Sequence, residues 1–391
     1  MKDVVIVGAT RTPIGTFGGS LRDVKAIELS QFIIESVIKR TGIEKNLVDQ
    51  VILGNCFEPI DHNIARIGLV KAGLPVETTA FHIVATCGSG MQAIMSGVQS
   101  IRDNNADCVI AGGAESMSTA PYLLPTARWG FRLQHHLAVD MIWRSMQEHP
   151  IGGGMGLTAE NLAEQYNIPR EEQDAFALRS QQNAGRAIRE GRFKDEISPV
   201  PIPQRKGEPK MYDTDEHPKP DMTMEKLAAL PPAFKKGGTV TAGNACGIND
   251  AAAAVILMTT EKARELGLRP MARIVSYAVA GVDPAYMGIG PVPATRKALK
   301  RANLNLDDIE LIEINEAFAA QYLACERDMG WNRDIVNVNG SGISLGHPVG
   351  CTGARLVVTL LYEMEKRNLH RGLATLCAGG GQGFSTIIER A

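Results

Sequence analysis

The sequence predicts an α/β protein made of two related halves with a long insertion between them. Three observations carry this expectation: strands and helices alternate, a block of the chain recurs 260 residues later, and the texture changes between residues 118 and 248. Short apolar runs at Val4–Val7, Val51–Leu53, Cys108–Ala111, Leu311–Ile314 and Ala374–Leu376 read as buried strands. Amphipathic stretches such as Ile27–Lys39 and Thr295–Arg301 lie between them and read as helices.

The recurrence is specific. Val51-Ile52-Leu53-Gly54-Asn55 matches Leu311-Ile312-Glu313-Ile314-Asn315, and the same shift lays Cys87 over His347. Each of these two residues precedes a glycine-containing turn and a helix. The helices carry apolar residues at Met91, Ile94, Val98 and Ile101 and at Ala354, Val357, Leu361 and Met364, with the same 3-4-3 spacing. Strand–Gly–Gly follows in both, at Val109–Gly113 and Leu376–Gly380. Four matches in one order predict two halves packed face to face. Between them, Pro121, Pro125, Trp129 and the Pro/Lys-rich stretch 199–236 break the alternation, with one good helix at Arg170–Glu190. The expected division is residues 1–117, completed by about 249–268, then an inserted loop or lid at 118–248, then 269–391. The insertion reads either as a substrate-binding lid or as a structural excursion.

Composition excludes several classes of function. At 391 residues the chain exceeds one compact core, with 44% hydrophobic and 21% charged residues. A net charge of −2 gives neither nucleic acid nor a membrane surface an electrostatic reason to bind. There is no apolar run long enough to span a bilayer. The seven cysteines show no CxxC pair and no secreted-scaffold spacing, so reduced thiols are expected. With Met1-Lys2-Asp3 running straight into Val4–Val7 and no leader pattern, a cytoplasmic location is expected.

Four residues could do chemistry. Cys87, in Thr86-Cys87-Gly88-Ser89-Gly90, falls at a strand-to-helix turn, where the helix dipole would favour a thiolate; taken alone, it reads more readily as a small core cysteine. His347 stands between Gly346 and Pro348, in a turn that could offer a neutral imidazole to the thiol; it could also be structural. Cys377 opens Cys377–Gly383, a glycine run without P-loop spacing, and a thiol on a mobile loop there could act as a base. Asn315, after an apolar strand, could orient a water or simply cap the next helix.

Taken together, the motifs resemble those of the thiolase family over nearly the whole chain. They are Cys-Gly-Ser-Gly at 87–90, Asn-Glu-Ala-Phe at 315–318, Gly-His-Pro at 346–348 and Cys-Ala-Gly-Gly-Gly at 377–381, supported by Arg11-Thr12-Pro13 and Thr241-Ala242-Gly243-Asn244. The resemblance implies a duplicated thiolase-like fold layered αβαβα with an inserted lid. It implies a ping-pong acetyl-CoA C-acetyltransferase with Cys87 as nucleophile, His347 as its base and Cys377 as the base for the second substrate. It places one oxyanion on His347 and a water held by Asn315, and another on the N–H groups of Cys87 and Gly379. Substrate and CoA contacts would fall on Met155, Lys219, Lys226, Ala242, Cys246, Met287, Ala317 and Phe318. No cofactor or metal is implied, since the coenzyme A thioester is itself the substrate, and the expected assembly is a homotetramer.

Several positions depart from the biosynthetic members of the family. Gly154 stands where they carry a histidine, Cys246 and Lys226 stand where they carry serines, Lys219 replaces an arginine, and Val84 replaces an Asn or His. Gly154 should leave a roomier acyl pocket. The alternatives are a 3-ketoacyl-CoA thiolase of broader chain length, towards which Gly350–Gly353 and Gly290–Pro293 lean, and a non-catalytic acyl-CoA-binding protein on the same fold. A ketoacyl synthase would need a second histidine where Cys377 stands.

Overall fold

The computed structural model describes residues 2–391. Among them one ten-stranded sheet forms from β1 (Val4–Arg11), β2 (Gly15–Thr16), β3 (Gln50–Gly54), β4 (Thr79–Ile83), β5 (Cys108–Ser116), β6 (Asn249–Thr259), β7 (Ala272–Gly281), β8 (Leu311–Ile314), β9 (Arg371–Ala378) and β10 (Gln382–Arg390). The strand order is β8-β9-β10-β7-β1-β6-β5-β3-β4, with β2 set against β6. Helices α1 (Ala26–Thr41), α2 (Ile64–Lys71) and α3 (Ser89–Arg102) belong to the first half. The insertion carries α4 (Met141–Met146), α5 (Met155–Gln165), α6 (Arg170–Arg189) and α7 (Met224–Ala228). After β6 come α8 (Thr260–Glu265), then α9 (Pro291–Ala302), α10 (Ala319–Met329), α11 (Gly342–Leu345) and α12 (Val349–Arg367).

Strand alternation decides which residues enter which layer. Along β1, Val4 and Ile6 point into a central core shared with α3 and α12, whereas Val5 and Val7 point out against α1. Along the second half, Ala374 and Ile388 join the central core while Leu373 and Ile387 pack outward beneath α10. Three stacked cores result, so the layers run helix, sheet, helix pair, sheet, helix, as the α/β duplication predicts. The insertion does more than cover a cleft, because α5 and α6 pack on α10 and α11. The halves also meet edge to edge, where Val5 and Ile6 of β1 pair with Arg273 and Ala272 of β7. That seam was not foreseen.

Pairing registers correct one detail of the repeat. Gly54 of β3 lies opposite Gly113 of β5, and Ile314 of β8 lies opposite Thr375 of β9. Positions 54 and 314 are equivalent, so 113 is equivalent to 375, and the expected alignment of Gly112-Gly113 with Gly379-Gly380 is five residues out of register. In the true register Asn55 answers to Asn315, Cys87 to His347 and Glu115 to Cys377.

At the centre α3 and α12 approach closely because glycines face each other. A Cβ on Gly353 would fall 2.5 Å from the Met91 nitrogen, and one on Gly90 would fall 2.9 Å from the Ala354 nitrogen. Gly353→Ala should therefore lower stability by roughly 1–3 kcal/mol through overpacking, read as a lower denaturant midpoint. An unchanged midpoint would show that the helices can part without cost.

Candidate active site

The turn before α3 is built to present a side chain. Ser89 Oγ accepts the Ala85 N–H at 2.8 Å and donates to the Thr86 carbonyl at 2.6 Å, closing the turn around Cys87. Gly88 leaves room for Phe384, whose ring a Cβ would strike at 2.2 Å. Burial pushes the Cys87 thiol up to about 11, against the opposing pull of the Gly379 and Cys87 backbone N–H groups and with a further push from Glu115. The expected dipole-stabilised thiolate is thus corrected. Desolvation outweighs the helix end, and the resting group is a thiol.

His347 is set by its flanks. Gly346 adopts φ +106°, and the Asn249 amide occupies the space a side chain there would need. Asn249 Oδ1 accepts the His347 N–H at 2.9 Å, and Pro348 caps α12. Thr352 Oγ1 lies 2.7 Å from His347 Nδ1 and donates its own proton to the Pro348 carbonyl at 2.8 Å. With that proton committed, Nδ1 must be the donor, which leaves Nε2 with its lone pair. Burial, and after it Arg355, lowers the imidazole to about 3, so it rests neutral.

Asn315 directly follows β8 and does not cap α10, which begins at Ala319 after Phe318. Its Nδ2 lies 3.5 Å from each ring nitrogen of His347, and its buried Oδ1 has no hydrogen-bond partner among the described residues. Cys377 lies inside β9 rather than on a mobile loop, fully buried. The turn itself is Gly379–Gly381, with Gly380 and Gly381 at φ +85° and +84°. Burial, then neighbouring Cys87, Cys325 and Cys246, drives the Cys377 thiol well above the usual range.

Other expected site residues divide into two groups. Met287, Ala317 and Phe318 enclose Cys377, with Met155 against the same cluster. Cys246 bonds the Ala317 carbonyl through its N–H at 3.0 Å. Ala242, Lys219 and Lys226 instead face solvent, and Lys226 Nζ folds back onto the Asp221 carbonyl at 2.7 Å. Gly154 does not open space, because a Cβ there would meet the Gln147 carbonyl at 2.8 Å. Beside Cys87 lies a cavity of about 100 Å³ lined by Cys56, Phe57, Val84, Thr86, Met146, His149, Met155, Val349 and Gly379.

Sequence reasoning missed Asn249, Thr352, Ser89 and Glu115, which hold these groups in place. Glu115 accepts N–H bonds from Gly350 at 2.7 Å, Cys56 at 2.9 Å and Phe57 at 3.1 Å, tying the start of α12 to the first half. The strand pairing that makes Glu115 the counterpart of Cys377 is the signal that finds it.

The family profile described as "Thiolase, N-terminal domain" matches residues 4–261, and that described as "Thiolase, C-terminal domain" matches residues 268–390. The chain belongs to the thiolase family. An acetyl-CoA acetyltransferase of Syntrophomonas wolfei is 54% identical over 394 residues, covering 99% of each chain. The crystal structure of a Bacillus anthracis acetyl-CoA acetyltransferase superposes with a TM-score of 0.97 at 52% identity, over 100% of this chain and 99% of that one. Human mitochondrial 3-ketoacyl-CoA thiolase gives 0.96 at 42% identity, over 100% and 99%.

In this thiolase burial favours the uncharged forms of the Cys87 and Cys377 thiols and of the His347 imidazole. Iodoacetamide modification of Cys87 should therefore accelerate about tenfold per pH unit between pH 7 and pH 9, following the thiolate fraction. A rate already flat across that range would show a thiolate–imidazolium pair instead.

Proposed function

We propose that this thiolase is an acetyl-CoA C-acetyltransferase that condenses two acetyl-CoA into acetoacetyl-CoA and CoA, and runs the reverse thiolysis, through an acetyl-Cys87 intermediate. The observation that carries the reading is that Cys87 and Gly379 line one small cavity, with the backbone N–H groups of both residues favouring negative charge on Cys87 Sγ. Two donors beside an attacking sulfur are suited to receive the oxygen of an acyl carbonyl as it becomes an oxyanion.

Cys87 Sγ attacks the thioester while His347 Nε2 takes its proton, and CoA departs as a thiolate. That thiolate takes the proton of Cys377, whose own thiolate, strongly basic in its dry setting, removes a proton from C2 of the second acetyl-CoA. The Asn315 amide and the His347 imidazolium hold the resulting enolate oxygen. Carbon attacks the acetyl carbonyl, Cys87 leaves, and His347 returns its proton. Both thiols and the imidazole end as they began.

A second reading, broader 3-ketoacyl-CoA thiolase, draws on the apolar wall of Phe57, Val84, Met146 and Val349 beside Cys87 and on the likeness to the human enzyme. An acyl-CoA-binding scaffold has no such support, since Cys87, Asn315, His347 and Cys377 are all in place. The free state of all seven cysteines supports a reducing, cytoplasmic setting. The edge strand β4 and the exposed Trp129, Leu133 and Leu137 support a homotetramer, because such surface is normally covered.

Two measurements test this reading. With radiolabelled acetyl-CoA, Cys377→Ala should accumulate one acetyl group on Cys87 yet make acetoacetyl-CoA at least about 1000-fold more slowly. Label on another residue, or normal condensation, would refute the scheme. Comparing kcat/KM for acetoacetyl-CoA and 3-ketohexanoyl-CoA separates the two substrate readings. A preference of about tenfold or more for the shorter chain supports the first, and parity or the reverse supports the second.

A further inference from the structure

Among the described residues eight other than glycine have positive φ, and six of them are asparagine, which tolerates the left-handed region well. Thr86 is the one β-branched member of the set, at φ +49°, and it immediately precedes Cys87. Left-handed backbone is costly for a side chain branched at Cβ, and such strain persists only where its surroundings enforce it. Here the enforcement is visible. The Thr86 carbonyl accepts from the Ser89 N–H at 3.0 Å, the Ser89 hydroxyl at 2.6 Å and the Cys56 thiol at 3.3 Å.

The strained backbone directs the Thr86 side chain across the boundary between halves. Its Oγ1 lies 3.1 Å from the Gly379 carbonyl and 2.8 Å from the carbonyl of Ala85, so one hydroxyl proton serves a local and a distant acceptor. Gly379 also lines the cavity beside Cys87, and its N–H pulls the Cys87 thiol towards the charged form. Its carbonyl is thus bound by Thr86, while its N–H acts on the next residue of the nucleophile turn. The far side of the turn is fixed by the pairing of Ala378 with Gln382 and by the Val282 N–H donated to the Gly381 carbonyl at 2.8 Å, and the Thr86 hydroxyl adds a hold on the Gly379 carbonyl itself.

We propose that Thr86 is a positioning residue: its hydroxyl, aimed by a strained backbone, anchors Gly379 through its carbonyl and so limits the rotation about this glycine that would turn its N–H away from the sulfur and the acyl oxygen of Cys87. This assignment rests on the acyl-cysteine reading, and its test includes a readout that needs no turnover.

Thr86→Val keeps the β-branch and loses the hydroxyl, while Thr86→Ser keeps the hydroxyl. Outright loss of an oxyanion donor costs roughly 100- to 1000-fold, and a loosened one less. Thr86→Val should thus lower kcat about tenfold with KM for acetyl-CoA within about twofold, and shift the pH profile of Cys87 alkylation to higher pH. Thr86→Ser should restore both readouts to within about twofold of the unmodified protein. Equal impairment of the two variants, or an alkylation profile unmoved in Thr86→Val, would overturn the assignment. Failure of Cys87 in the unmodified protein to react at all would count against the acyl-cysteine reading instead.

Discussion

The contact between α3 and α12 governs the rest of the molecule. Gly90, Gly113 and Gly353 lack side chains where the other half's backbone comes nearest, and on Gly113 a Cβ would lie 2.2 Å from the Gly350 carbonyl. At that separation the starts of both helices reach one cavity, lined by Cys87 just before α3 and by Val349 at the start of α12, two residues after His347. Glu115 secures the same junction by accepting the Gly350 N–H from across the halves. Burial raises its carboxyl to about 7 against three backbone donors, so the junction is dry as well as tight.

Duplication supplies one frame twice, and the two copies have diverged in how their polar groups are used. In the first half Asn55 spends its amide on Glu115 and the Ala114 carbonyl, and its Oδ1 accepts from the Glu58 N–H. Its counterpart Asn315 keeps a buried oxygen without a protein partner. Glu115 is consumed by backbone donors, whereas its counterpart Cys377 keeps a free thiol. At these two positions the first half uses its polar groups to bind the structure together, and the second leaves them unpaired. The shared dryness explains why both thiols and the imidazole rest uncharged, since burial disfavours the charged form of each.

Much of this was legible in the sequence because periodicity and spacing are local. The 260-residue shift found Asn315 and paired Cys87 with His347, and the apolar run Val4–Val7 marked a buried strand that the structure contains. What failed depended on three-dimensional neighbours. The Gly-Gly match was out of register because only strand pairing reveals that residue 113 answers to 375. The thiolate at Cys87 was expected from helix position, yet burial dominates. Gly154 suggested free volume that the Gln147 backbone fills from outside the motif. Thr352, Asn249 and Thr86 carry no motif of their own, since each matters through one hydrogen bond or one dihedral angle.

The most direct test of the account is a crystal structure of the Cys377→Ala variant after exposure to acetyl-CoA. The expected result is an acetyl group on Cys87 Sγ, with its carbonyl oxygen within hydrogen-bonding distance of both the Cys87 and Gly379 N–H groups and with His347 and Asn315 facing the same space. An acetyl group on another side chain, or an oxygen turned away from those two donors, would contradict it.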